Sequence, residues 1–303
     1  MKYLWITLIA LLPIGQTNPE APYLVVLGVA QDAGYPQVGC QKACCQPAWE
    51  GVREPIAVTS LGLVDPKANR SYLFEATPDL PAQVQQLQEI TGAALPIGIF
   101  LTHAHIGHYT GLMYLGREAF GAQGLPVYTM PKMQEFLQQH GPWQQLVTLG
   151  NIALQPMRDG QPVKLENNIT VTPLRVPHRD EYSETVGYRI AGPNRTALFI
   201  PDIDKWDRWD RDLETEIAKV DVALLDATFF DNGELPGRDM SEIPHPFVEE
   251  TMAHLAHLPA AERQKVVFIH FNHTNPLLHP GEARQQVIAR GFRVAEVGMR
   301  LAL

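Results

Sequence analysis

The sequence predicts a layered α/β domain with a two-sheet core and helices outside it. Three observations lead there. Apolar runs of strand length come first in the chain, and strand and helix patterns then alternate through both halves. A chain of 303 residues, 45% hydrophobic and 19% charged, can bury a large core and is not a disordered polymer. No internal repeat, low-complexity tract or long linker divides it.

The elements follow in order. Met1-Lys2 precedes the apolar run Tyr3-Leu-Trp-Ile-Thr-Leu-Ile-Ala-Leu-Leu12, and Pro13 and Gly15 break it. A positive start, an apolar stretch too short for a stable span and a breaker fit a signal peptide over 1–20. The expectation is therefore an exported protein, periplasmic or secreted, with its folded domain over 21–303 and no transmembrane segment after cleavage. Tyr23–Gly28 reads as the first strand, running into a loop with Gly, Pro and Cys over 33–40. Residues 57–64 and 70–75 read as paired strands joined by a turn over 65–69. Residues 81–90 carry helical spacing (Val84, Leu87, Ile90), and 95–101 is a buried strand. A helix over 111–119, a strand over 126–130 and a helix over 132–139 follow, with Met130, Met133 and Phe136 as core. The alternation through Ile169, Val171, Leu174 and Val176 suggests several antiparallel strands within 146–189. Strands over 195–200, 222–226 and 265–269 then alternate with helices over 213–220, 248–258, 260–263 and 281–290.

The chemistry gathers at the ends of these strands. Three of the eleven histidines stand in Leu101-Thr-His-Ala-His-Ile-Gly-His108, directly after an apolar run. His103 and His105 alternate, so their imidazoles can share one cation, while His108 can reach a neighbouring site. His178 follows the apolar run ending at Pro177, Asp202 and Asp204 follow Leu198-Phe-Ile200, and His270 follows Val266-Val-Phe-Ile269. Four separated strands that each deliver a ligand at one rim describe a metal site on a rigid core. The formal charge is −9 with no Lys/Arg run, so no dedicated nucleic-acid surface is expected. The three cysteines all lie between Cys40 and Cys45, which excludes a disulfide scaffold.

These stretches resemble the metallo-β-lactamase-fold superfamily, whose signature is H-x-H-x-D-H and then a later His, Asp and His, each after a strand. More narrowly, the chain resembles the branch containing pyrroloquinoline quinone biosynthesis protein B and the carbon–phosphorus lyase accessory phosphodiesterase. The supporting stretches are Leu27-Gly28 leading to Gly34-Tyr-Pro-Gln37 and the Cys40 cluster, Leu73-Phe-Glu-Ala-Thr-Pro-Asp79, the run from His178 to Gly187, and His270-Phe-Asn-His-Thr-Asn-Pro276. The resemblance covers the chain from about Tyr23 onward. It implies an αββα sandwich of two mixed sheets with helices on the outer faces. It also implies one or two Zn2+ ions, with Fe or Mn also suited. His103, His105 and His178 would form a first site, and Asp202 would bridge to a second made with His108 and His270. Asp204 is the substitute carboxylate, and Glu75 would orient a ligand from behind.

The chain departs from the signature at Gly107, where the superfamily has a carboxylate. Either the second site is weak or empty, or His273, Asp180 or Asp204 replaces that group. The intact His103/His105 pair also departs from what is expected of the quinone-biosynthesis protein itself. Cys40, Cys44 and Cys45 resemble the cluster that holds a structural zinc in this branch, with no fourth ligand evident. In an exported chain a disulfide from Cys40 to Cys44 or Cys45 is the alternative.

A bound metal makes hydrolysis the natural chemistry, and no G-x-S-x-G is present. The expected activity is metal-dependent hydrolysis of a small-molecule phosphodiester or other ester. Asp202 stands at its centre, and His273 or His245 gives a proton to the leaving group or is simply structural. An iron-dependent oxidative enzyme and a non-catalytic metal-binding module are the alternatives. Arg179, Asp180 and Glu181 either contact substrate or form a solvated loop. Trp206 and Trp209 either wall a pocket near Asp202 or pack a helix onto the rim.

Overall fold

In the computed structural model, which describes residues 21–303, two seven-stranded sheets face each other. The expected signal segment lies outside the described residues. The first sheet holds β1 (Tyr23–Gly28), β2 (Ser60–Asp65), β3 (Arg70–Phe74), β4 (Ile99–Phe100), β5 (Leu125–Thr129) and β6 (Ile152–Pro156). The second holds β7 (Val163–Lys164), β8 (Thr170–Arg175), β9 (Val186–Ala191), β10 (Thr196–Ile200), β11 (Val222–Asp226), β12 (Val266–Ile269) and β13 (Arg293–Val294). The last strand, β14 (Arg300–Ala302), returns to pair with β1. Parallel and antiparallel pairs mix in both sheets, so the expected αββα sandwich is the fold observed.

The period-2 alternation of the strands explains the layers. Along β1, Leu24 and Val26 enter the core between the sheets, while Val25 and Leu27 enter a second core under the helices. Both faces are covered, which is why the strands read as nearly unbroken apolar runs. Between the sheets, Phe74 stacks on Phe100 at 5.0 Å and Phe100 on Tyr128 at 4.2 Å. Tyr188 and Phe199 of the second sheet meet Phe74 edge-on. Each such pair contributes about 0.5–1.5 kcal/mol beyond area burial. On the outer face, helix Leu80–Thr91 buries Leu80, Val84 and Leu87 and starts with Pro81 in its first turn. It ends at Gly92, whose φ of 74° closes the helix through a bond from its N–H to Gln88 O.

Two expectations change, and two strands appear where none was expected. The segment 111–119 is no α-helix: helix Ile106–Tyr109 gives way to a 3₁₀ turn over Thr110–Leu115. Here Gly111 donates its N–H to Ala76 O in the strand-end loop instead of continuing a helix. Within 146–189, Leu146 lies on helix Trp143–Thr148, and β6 pairs parallel to β5; only β7, β8 and β9 form antiparallel neighbours. Finally, β13 and β14 are too short to show a period in sequence and exist through their pairing partners.

Strand direction positions the site. β3 runs parallel to β4, β10 to β11 and β11 to β12, and the antiparallel steps through β2 and β9 turn β1 and β8 the same way within their sheets. The segments that follow β1, β3, β4, β8, β10, β11 and β12 supply the polar cluster described next.

Candidate metal centre

Two sets of four donor groups share one buried carboxylate. In the first, ligand atoms of His103, His105, His178 and Asp202 all lie within 4.8 Å of one another. His105 Nδ1 is 2.8 Å from His103 Nε2 and 3.2 Å from His178 Nε2. Asp202 Oδ2 is 3.4 Å from His103 Nε2 and 3.3 Å from His178 Nε2. A tetrahedral ion with bonds of about 2.05 Å spaces its donors by about 3.3 Å, so three of these four separations already suit one. The second set is Asp32, His108, Asp202 and His270. His108 Nε2 lies 3.0 Å from Asp32 Oδ1 and 3.7 Å from Asp202 Oδ2, and His270 Nε2 lies 3.7 Å from Asp32 Oδ1.

Each imidazole is fixed from behind. Thr102 Oγ1 is 2.9 Å from His103 Nδ1, Asp204 Oδ1 is 3.2 Å from His178 Nδ1, and Glu75 Oε1 is 3.4 Å from His108 Nδ1. Thr228 Oγ1 is 3.0 Å from His270 Nδ1, and Glu181 Oε2 is 2.9 Å from the outward Nε2 of His105. Such partners set tautomer and ring orientation. Glu75 (φ 76°) and His270 (φ 70°) sit in the left-handed region, a strain of about 1–3 kcal/mol each that turns their side chains at the strand ends.

The residues present fit a divalent cation. His270 Nε2 is buried without a hydrogen-bond partner, a cost that coordination removes. Charge points the same way. Burial lowers the pKa of His103 well below the usual imidazole value, with the charge of His108 adding to it. Burial opposes protonation of His178 too, yet Asp202 and Asp204 lift it to about 9. Burial works against ionisation of Asp202, but the flanking His178 and His245 hold it well below the usual carboxylate range. These protons balance a buried negative centre, the task a bound cation takes over when it displaces them.

A third set, Asp202, Asp226 and His245, is built differently. Asp226 is fully buried; its Oδ1 accepts from Thr228 N and Oγ1, and its Oδ2 from Ile203 N at 3.1 Å, with His245 Nδ1 at 3.0 Å. All four acceptor positions of Asp226 are used, so it braces His245 and the backbone beside Asp202 and has no lone pair left for an ion.

Several expected roles change in space. Asp204 joins no donor set; it binds His178 Nδ1 and Arg208. Asp180 accepts from Thr185 Oγ1, and His273 does not replace the missing carboxylate either. His273 instead completes a set with Cys40, Cys44 and Cys45, the fourth donor that linear spacing does not show. That position, beside Lys42 and the thiols, differs from the expected proton donor facing Asp202. The three thiols are free, and Cys40 Sγ and Cys44 Sγ are 3.9 Å apart. A disulfide needs about 2.05 Å, whereas a zinc with Zn–S of about 2.3 Å spaces its sulfurs by about 3.8 Å. His245 stands beside the shared carboxylate, its Nδ1 3.2 Å from Asp202 Oδ1. Glu181 holds the outward Nε2 of His105, while Arg179 reaches its inward Nδ1 at 3.5 Å. Trp206 donates to Thr251 Oγ1 and Trp209 to Arg175 O, so both anchor the segment after Asp204, and Trp209 also lines a cleft beside His178.

Sequence reasoning missed Asp32 and the brace Asp226. Asp32 carried the same signal as the other donors, a carboxylate shortly after an apolar strand, here Tyr23–Gly28.

Comparison with known proteins agrees with this fold. The model of the Beta-lactamase superfamily domain matches residues 70–271. The Coenzyme PQQ synthesis protein B of Klebsiella pneumoniae is 27% identical over 312 residues, covering 93% of this chain and 98% of that protein. Its namesake from Methylorubrum extorquens is 29% identical over 315 residues, covering 93% and 100%. The crystal structure of Zn(2+)-bound PqqB from Methylobacterium extorquens aligns with a TM-score of 0.77 at 25% identity, over 93% of this chain and 100% of that one. A diphosphatase from the PhnP family shares the fold, with a TM-score of 0.63 at 20% identity over 93% and 98% of the two chains.

Proposed function

We propose that this chain, which belongs to the beta-lactamase superfamily, is a metal-dependent hydrolase of a small phosphodiester or other ester. The observation that carries this reading is the pair of four-donor sets sharing buried Asp202. His103, His105, His178 and Asp202 would hold one divalent cation, and His108, His270 and Asp202 a second. Zinc suits the imidazole-rich sets, with manganese or iron as the other candidates. A cation there supplies Lewis-acid activation of water and of the scissile group.

The chain's own residues do the rest. Asp204, Thr102, Glu75 and Thr228 keep the imidazoles aimed inward, and Asp226 and Asp202 hold a proton on His245, from which a leaving group can take it. An anionic substrate is favoured by the adjoining cleft of about 450 Å³, where Lys42 and Arg238 stand with Asp32, Asn272 and His273 along its wall. Cys40, Cys44, Cys45 and His273 would hold a structural zinc that ties the loop after β1 to the segment after β12. The positive and then apolar start of the chain supports export to the periplasm or beyond, and the N-terminal sequence of the mature protein tests it.

The direct test is turnover of bis(p-nitrophenyl) phosphate, p-nitrophenyl acetate and nitrocefin by the zinc- or manganese-loaded chain. Ester or diester hydrolysis that disappears in His103→Ala is expected; full metal content with no hydrolysis of any of them refutes it. A second reading is a role like that of Coenzyme PQQ synthesis protein B, to which the chain is 27–29% identical, with an iron-dependent oxidative step as its form. Iron in the purified protein together with substrate-dependent oxygen consumption distinguishes it from hydrolysis.

A further inference from the structure

The superfamily pattern has a carboxylate at the position before His108, where this chain has Gly107. That space is filled from elsewhere. A Cβ on Gly107 would stand 2.4 Å from Asp32 Cα, 2.5 Å from Asp32 Oδ1 and 2.9 Å from Asp32 Cβ. Overlap with Cα and Cβ cannot be relieved by turning the Asp32 side chain. Residue 107 can therefore carry no side chain while Asp32 is where it is. We infer that Asp32, from the loop after β1, supplies the second-site carboxylate that the pattern expects at 107, and that glycine at 107 is the condition of the exchange.

The geometry supports a ligand and not a solvated loop aspartate. Asp32 Oδ1 is 3.0 Å from His108 Nε2 and 3.7 Å from His270 Nε2, and that Nε2 is buried with no hydrogen-bond partner. The side chain of Asp32 is only 22% exposed. Its backbone is registered against the ligand it faces. Gln31 N donates to Phe271 O and Phe271 N to Val29 O, both at 2.8 Å, so the neighbours of Asp32 and His270 are bonded to each other. Gly34 N closes the turn on Gln31 O at 2.8 Å. The donors of the second site then come in pairs from the two sheets. Asp32 and His108 follow strands of the first, and Asp202 and His270 follow strands of the second. A rigid strap delivers this carboxylate as firmly as the lost motif position would.

This inference rests on the reading of the histidine cluster as a metal centre, and the test separates the two. Metal-stripped full-length wild type, D32A, D32N and G107A are titrated with Mn2+ by calorimetry. Ions per chain are then counted by mass spectrometry, with circular dichroism to check folding. D32A is expected to hold one ion fewer than wild type. D32N, which keeps the shape and loses the charge, should bind that ion about tenfold or more weakly. G107A should also lose that ion, because its Cβ would stand 2.4 Å from Asp32 Cα and displace the backbone that carries the carboxylate. Equal ion counts and unchanged affinity in D32A and D32N overturn the inference, since an aspartate that merely hydrogen-bonds His108 would give that result. A folded G107A that keeps the full ion count and affinity overturns the claim that glycine at 107 is the condition of the exchange. Wild type that binds no ion outside the cysteine cluster overturns the metal-centre reading itself.

Discussion

Asp226→Asn is the most searching single change outside the donor sets' open positions. The carboxylate is fully buried and surrounded by four donors: Thr228 N, Thr228 Oγ1, Ile203 N and His245 Nδ1. Asparagine has the same shape but one acceptor oxygen. If that oxygen keeps the Thr228 pair, the amide NH2 points at Ile203 N and His245; Ile203 N loses its partner, and His245 Nδ1 loses the nearer of its two carboxylates and keeps Asp202 Oδ1 at 3.2 Å. Each lost bond costs about 1–3 kcal/mol, so the loss is about 4 kcal/mol. In a domain of this size each kcal/mol moves Tm by about 2–4 °C, and a fall on the order of 10 °C is expected. The bond to Ile203 N also fixes the residue next to Asp202, so cation affinity should drop about tenfold. Urea and thermal unfolding of the metal-free protein give the first number, and metal titration gives the second. Asp221→Asn is the control, because its carboxylate accepts one backbone bond at an exposed position and should change stability by less than about 1 kcal/mol. Asp226→Asn within about 0.5 kcal/mol of wild type would refute the hydrogen-bond accounting and the bracing role with it.

Three further outcomes follow from the same geometry. Cys40→Ser and His273→Ala should each remove one zinc per chain and leave the histidine-site ions in place, read by zinc release to a chromogenic chelator; unchanged zinc in both would remove the Cys3His site. Tyr188→Phe deletes a buried bond to Leu101 O, just before the histidine segment; a loss of about 1–2 kcal/mol with unaltered metal content is expected, and denaturant unfolding measures it. Burial pushes the Glu234 carboxyl from 4.5 up to about 7, against the bonds from Phe230 N and Thr274 Oγ1. A raised acid stabilises the fold only while protonated, so this contribution is present below about pH 4.5 and is lost as pH rises through 7. Glu234→Gln mimics the protonated form. Its stability should match wild type near pH 5 and exceed it by up to about 3 kcal/mol by pH 8, and a Tm difference that does not grow with pH would show Glu234 to be ordinary.

Much of the centre was legible because a strand's end is a local event. His103, His105, His178, Asp202 and His270 each follow an apolar run, and the structure gathers all five. Asp204 follows the same run as Asp202, and only its contact with His178 Nδ1 separates an orienting carboxylate from a binding one. Asp226 also ends a strand, but brace and ligand look alike in sequence; the difference lies in whether the oxygens are already saturated. His273 completes the cysteine set across the chain, and no spacing rule connects it to Cys40. The helix expected over 111–119 failed for a related reason: Gly111 bonds to Ala76 in another loop, a partner that local propensity does not contain.

The sequence by itself determined the layered sandwich, the rim and the chemical kind of its donors, because alternation along a strand and the residue that ends it are properties of neighbouring positions. Tertiary structure decided which carboxylate fills the second site and which histidine joins the thiols. Asp32 meets Gly107, and His273 meets Cys40, only when β1 of one sheet and β12 of the other are brought together across the core. Contacts of that range are set by packing, and packing leaves no period in the chain.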